Sequence, residues 1–136
     1  MSCKVFLADD SEVVRRAIRM RLLAHPDIEL VGETETFAET IRLVPILKPR
    51  IIVLDIHLKD FEAVKPHDFC DQVGFHCDII GISIFSDDET ELLAQNLGVR
   101  VFIDKINLAD DLVPTILELC KDEPFNPDVR LVGPTA

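Results

Sequence analysis

The 136-residue chain is short of positive charge: 14 lysines and arginines stand against 25 aspartates and glutamates, a formal net charge of -11. That balance argues against sequence-independent nucleic-acid binding, which needs basic patches to displace counterions from phosphates. No apolar run approaches the ~20 residues of a membrane span, and no charged n-region with an apolar h-region opens the chain. The four cysteines, Cys3, Cys70, Cys77 and Cys120, form no CxxC, and no histidine stands at zinc-ligand spacing from a cysteine pair. They read as buried or free thiols of a reducing, cytoplasmic compartment. Internal repeats and low-complexity tracts are absent. Apolar residues make up 48%, enough for one packed domain and too many for a disordered chain.

Short strand-like runs alternate with segments of helical period, the pattern of βαβ units and a parallel sheet. The runs are Lys4–Ala8, Ile28–Val31 (closed by Gly32), Ile51–Leu54, Ile79–Ile84 and Val99–Ile103. Ile51–Leu54 is apolar throughout, as a central strand covered on both faces should be. Ser11 caps a first helix with Glu12 in its first turn; Val14, Ala17, Ile18 and Leu22 form its inner face. Arg15, Arg16 and Arg19 point elsewhere, and His25-Pro26 ends the helix. A second helix starts near Phe37, with Ala38, Ile41 and Val44 inside and a kink or stop at Pro45. Residues 61–73 hold a third, irregular helix broken by Pro66, with Phe61, Phe69 and Phe75 rebuilding the core around it. Asp87-Asp88-Glu89 starts a fourth helix with charges that suit its dipole, and Gly98 ends it. Ala109–Cys120 is the last, with Leu112, Ile116 and Leu119 as its apolar stripe. Residues 1–121 make the domain, and 122–136, with three of the eight prolines, a tail or linker stub.

In a parallel α/β sheet the C-terminal strand ends converge on one edge, where ligands bind. There the chain places Asp9-Asp10, Asp55, Ser83 and Lys105. A strand-tip aspartate such as Asp55 can attack an activated phosphoryl group to form an acyl phosphate. Anion attacking anion needs charge compensation, which Mg2+ supplies with oxygen ligands. Asp9, Asp10, Asp55 and the backbone carbonyl of His57 suit that metal. Lys105 can neutralise a phosphoryl oxygen, and Ser83 can donate a hydroxyl hydrogen bond to another. Singly, each has an ordinary reading: Asp9-Asp10 as a capping pair, Lys105 as a solvated lysine, Ser83 as a satisfied strand end, and His57 as a loop histidine. His25, His67 and His76 show no ligand pattern.

The pieces Leu7-Ala8-Asp9-Asp10-Ser11, Ile52-Val53-Leu54-Asp55, Ile82-Ser83 and Val101-Phe102-Ile103-Asp104-Lys105 resemble the receiver domain of two-component response regulators. The likeness runs from Lys4 to about Lys121. Residues 14–23 and 28–33 look most like LuxR-type regulators, which usually carry a helix-turn-helix output; none is read here. The resemblance implies a flavodoxin-like fold, a five-stranded parallel sheet of order 2-1-3-4-5 with helices on both faces. It implies Asp55 as phosphoacceptor, Asp9 and Asp10 as Mg2+ ligands, and Ser83 and Phe102 as switch residues beside Lys105. The partners implied are a sensor histidine kinase or phosphotransfer protein, a downstream protein and a second copy of the chain. The interaction face comprises the helix after Ser83, the fifth strand and the last helix. Such a protein is not an enzyme and binds neither nucleic acid nor membrane directly.

Three departures stand out. The family's usual Met-Pro and Gly after the acceptor are replaced by Ile56-His57-Leu58-Lys59-Asp60-Phe61, a reshaped loop in which Lys59 or Asp60 can alter rates. Bulky Ile84 follows Ser83 where a small residue is usual, restricting phosphodonor access. Ile106 replaces a frequent proline after Lys105, so that peptide should be trans. The departures motivate an alternative, a pseudo-receiver acting as a phosphorylation-independent interaction module. Two remoter readings are a cobalamin-binding domain through His57, from Asp55-Ile56-His57, and a haloacid-dehalogenase-like phosphatase whose second Asp would fall at position 57.

Overall fold

Five parallel strands form one sheet in the order β2-β1-β3-β4-β5 in a computed structural model that describes residues 2–60 and 77–121. The strands are β1 (Cys3–Ala8), β2 (Ile28–Thr34), β3 (Ile51–Asp55), β4 (Asp78–Ser83) and β5 (Val101–Asp104). Among the described residues four α-helices accompany them: α1 (Glu12–Leu23), α2 (Phe37–Leu47), α3 (Asp88–Asn96) and α4 (Leu108–Lys121). A short 3-10 turn, Lys105–Asn107, joins β5 to α4. The irregular-helix reading of residues 61–73, with Phe61, Pro66 and Phe69, lies outside the described residues, as do His67, Cys70, Phe75, His76 and the tail 122–136. No described helix is long and apolar enough to cross a membrane.

Side chains on a strand alternate between sheet faces, and the central strands are apolar on both. Val5, Leu7, Ile51, Val53, Ile80, Ile82 and Ile103 pack against α1 and α4 through Ile18, Leu22, Leu112, Ile116 and Leu119. Phe6, Ala8, Ile52, Leu54 and Ile79 pack against α2 and α3 through Phe37, Val44, Ala94 and Leu97. The sheet is therefore doubly wound. Register then fixes the edge: Ala8 lies opposite Leu54, Asp55 opposite Ile82, and Ser83 opposite Asp104.

Helix ends follow their caps. Ser11 Oγ accepts from the Val14 amide, Thr36 Oγ1 from Glu39 and Asp87 Oδ1 from Thr90. Gly98, after α3, takes φ 79°, a conformation that favours glycine.

Several expectations are corrected. Strand β2 runs through Gly32 to Thr34, because the glycine lets Phe6 and Leu47 close over it: a Cβ there would lie 2.9 Å from each. Helix α2 passes Pro45 and stops two residues later, at Leu47. Ala17 and Ala38 are exposed, while Arg15 and Thr40 are buried in their place. Both polar groups find partners: Arg15 bonds the Asp9 carbonyl at 2.7 Å, and the Thr40 and Thr34 hydroxyls are 2.8 Å apart. Strand β4 ends at Ser83, with Ile84 exposed, and β5 begins at Val101 and includes Asp104. The free-thiol reading fails for two cysteines: the fold brings Cys3 and Cys120, 117 residues apart, to a Cα–Cα distance of 6.2 Å as a disulfide. No described peptide bond is cis, and that includes the one before Ile106.

Candidate functional site

Four strand ends share one local device. Asp9 Oδ1 accepts from the Ser11 amide at 2.8 Å, Asp55 Oδ1 from His57 at 2.9 Å, Ser83 Oγ from Phe85 at 3.0 Å and Asp104 Oδ1 from Ile106 at 3.0 Å. Each is a short polar side chain closing a turn onto the amide two residues ahead, which is why Asp and Ser serve at strand exits. For both buried aspartates the turn uses one carboxylate oxygen and leaves Oδ2 for another partner.

Lys105 meets those second oxygens. Its Nζ lies 2.9 Å from Asp9 Oδ2 and 3.2 Å from Asp55 Oδ2. Asp9 is fully buried and Asp55 4% exposed, while Asp10 is half-buried. Carboxylate oxygens of Asp9, Asp10 and Asp55 all lie within 4.8 Å of one another. Burial raises the Asp55 pKa above the ordinary value, against the His57 amide and the Lys105 ammonium, which pull it down. Burial by itself would lower the Lys105 pKa; the Asp55 and Asp9 carboxylates outweigh it, and the net shift is upward.

Three carboxylates around one ammonium leave an excess of negative charge. Asp9 Oδ2 is buried and accepts no hydrogen bond; the lysine ion pair is its compensation. A dense set of hard oxygen donors with one under-satisfied oxygen fits Mg2+.

Ser83 is buried at the end of β4, and Phe102, on β5, is half-buried against the α2–α3 side of the core. Residues 56–60 fold back over α2. Asp60 accepts from the Phe37 amide at 2.9 Å through Oδ1 and from Ala38 at 3.0 Å through Oδ2, adding to the Thr36 cap. A carboxylate there also meets the positive end of the helix dipole. Replacing Asp60 with Ala is therefore expected to cost about 1 kcal/mol in a urea denaturation curve, whereas Lys59→Ala should change it little.

Two participants escaped sequence reasoning. The His57 side chain does more than fill a loop: Nε2 lies 3.2 Å from Thr90 Oγ1, and the ring stands edge-on to Phe85 at 5.4 Å. It links the residue two past Asp55 to the start of α3. Arg15 holds the Asp9 carbonyl and pairs with Glu12, Glu33 and Glu35. The helical period puts it on the inner face, three residues before Ile18 and seven before Leu22, but its charge hides that.

Both the sequence and the fold have known relatives. The sequence is 29% identical over 112 residues to the uncharacterized transcriptional regulatory protein YhcZ of Bacillus subtilis, covering 82% of this chain and 52% of that one. It is 29% identical over 130 residues to the response regulator protein VraR of Staphylococcus aureus, covering 95% and 62%. The signal receiver domain of the response regulator NarL from Mycobacterium tuberculosis superposes with a TM-score of 0.77 at 18% identity, covering 88% of this chain and 97% of that one. The homologues are response regulators, and the fold is that of their receiver domains. The receiver fold accounts for the sheet order and for the edge on which Asp9, Asp10, Asp55, Ser83 and Lys105 meet. No protein-family model matches the sequence. The chain spans between about half and two-thirds of the length of these curated relatives.

Proposed function

We propose that the chain is a phosphoacceptor receiver of two-component signalling, taking a phosphoryl group from a histidine kinase or phosphotransfer protein onto Asp55. The observation that carries this reading is the Asp55 carboxylate, buried against Lys105 and two further aspartates at the sheet edge. Residues 1–121 form the receiver on this reading, and 122–136 a tail or linker.

Asp9, Asp10, Asp55 and the His57 carbonyl would hold Mg2+. When bound, the ion neutralises the phosphoryl oxygens and lets a carboxylate approach them. Asp55 supplies the attacking oxygen, with its other oxygen oriented by the His57 amide. Lys105 neutralises one phosphoryl oxygen. Ser83 gives up its turn to Phe85 and donates to another. Phe102 turns into the space that Ser83 leaves, and the face of α3, β5 and α4 changes its preference for a downstream protein or a second copy. One local charge event biases a two-state element. Ile84 and Ile106, exposed at the same edge, give incoming partners an apolar rim.

The pseudo-receiver is the second reading, supported by the replaced loop from Ile56 to Asp60 and its tether to α2. The His57 ring, held between Thr90 and Phe85, lends the cobalamin reading no support.

Intact mass after incubation with phosphoramidate separates the first two readings. A single phosphoryl adduct that needs Mg2+ and disappears with a chelator is the expected result. A folded protein that binds Mg2+ and takes no adduct would establish the interaction module instead. Asp9→Asn should weaken Mg2+ binding by at least ~10-fold in a calorimetric titration.

A further inference from the structure

The edge of the sheet opposite the carboxylates carries a second chemical feature. Cys3 opens β1 and Cys120 stands in the last turn of α4, and the two are joined. Their Cα separation of 6.2 Å lies within the range that a disulfide spans without moving the backbone. Both cysteines line a cleft of about 400 Å³ together with Ser2, Lys4, Lys48 and Arg50. In a chain of net charge -11, that is a concentration of cations. Arg50 pairs with Asp78, so the exposed Lys4 and Lys48 carry the attraction for an anion. Cys77 does not line this cleft, and burial together with Asp78 pushes its thiol up to about 11, leaving it inert.

We propose that Cys3 and Cys120 form a reversible thiol–disulfide site that reacts with small anionic disulfides of the glutathione class, drawn in by Lys4 and Lys48. The thiolate, not the thiol, is the nucleophile. The thiolate of one cysteine attacks a sulfur of the incoming disulfide. That S–S bond breaks, one small thiol leaves, and a mixed disulfide remains. The second cysteine attacks the protein sulfur of that bond, closes Cys3–Cys120 and releases the second small thiol. The two cysteine protons end on the two departing thiols; the cysteines are oxidised and the small disulfide is reduced. Excess small thiol runs both steps backwards.

The bond ties the first strand to the end of the last helix. Arg50 already holds that helix end through the Leu119 carbonyl at 2.7 Å. Oxidation therefore clamps the end of α4 from two sides, and reduction leaves it to the arginine and the core packing of Ile116 and Leu119. The site is chemically separate from Asp55, so its test does not depend on phosphorylation.

The experiment incubates the reduced 136-residue chain with oxidised glutathione, counts thiols and maps the products by peptide mass. Wild type should give a Cys3–Cys120 peptide pair with no glutathione retained on either cysteine, and a melting temperature higher by about 10 °C. Cys3→Ser should keep one glutathione on the half-buried Cys120. Lys4→Gln/Lys48→Gln should react at least ~3-fold more slowly with oxidised glutathione, yet at the wild-type rate with uncharged 2-hydroxyethyl disulfide. Retention of all four thiols, or modification at Cys77 in place of the pair, would overturn the site. Equal rates with the anionic disulfide for wild type and the lysine variant would overturn the recruitment.

Discussion

Asp55→Asn is expected to melt above wild type at neutral pH while losing all detectable phosphoryl uptake. Both effects come from one feature, three carboxylates clustered around a single ammonium. Burial raises the Asp55 pKa in the folded state, more than the His57 amide and Lys105 lower it. A carboxyl whose folded pKa exceeds its unfolded value adds stability that is fully present below the unfolded value and is lost as pH rises through the folded one. At pH 7 wild type therefore bears the cost of an ionised, buried carboxylate. Asparagine removes that charge, keeps an oxygen for the His57 amide, and leaves Lys105 its partner Asp9. The gain should be about 1 kcal/mol, a few degrees in melting temperature. Calorimetry at pH 7 and again near pH 3 checks the sign, because the difference should shrink in acid. Adding Mg2+ to 100 times its dissociation constant should stabilise wild type by about 2.7 kcal/mol and the variant by clearly less.

Asp78→Ala should have the opposite outcome and a larger size. Asp78 is buried at the start of β4, where Oδ2 receives Arg50 Nη1 at 2.7 Å and Arg100 Nη1 at 2.9 Å. Arg50 also reaches the Leu119 carbonyl, so one carboxylate helps fasten β3, β4, the segment leading into β5, and α4. Removing it sets two guanidinium groups against a space that no longer compensates them. Breaking a buried pair in this way costs about 3–5 kcal/mol, or roughly 10–20 °C in melting temperature, read from urea and thermal unfolding. Phosphoryl uptake at a temperature where the variant is folded should persist. The two edges of the sheet thus divide their tasks. At the strand starts two cations outnumber one anion; at the strand ends excess anion is left for a ligand to balance.

Much of this was legible in the sequence because the signals were local. Strand β1 is apolar from Val5 to Ala8 and β3 from Ile51 to Leu54, and α1 and α3 open on Ser11 and Asp87, which cap them as their side chains dictate. The positions of Asp9, Asp10, Asp55, Ser83 and Lys105 at strand exits brought the five together once the sheet order was fixed. What was missed is long-range. Arg15 looks like a surface residue until its guanidinium is seen beneath the Asp9 carbonyl, and Ala17 looks like core until that arginine takes the place. Asp60 caps α2 from 22 and 23 residues away, and His57 reaches Thr90 across 33. The Cys3–Cys120 bond spans 117 residues, and no periodicity carries such information.

The measurement that bears most directly on the central claim is location of the phosphoryl group. After reaction with phosphoramidate and Mg2+, borohydride reduction converts an aspartyl phosphate to homoserine, which peptide sequencing by mass can place. The account predicts homoserine at position 55 and nowhere else. Homoserine at position 9, 10 or 60, with position 55 still aspartate, would contradict it.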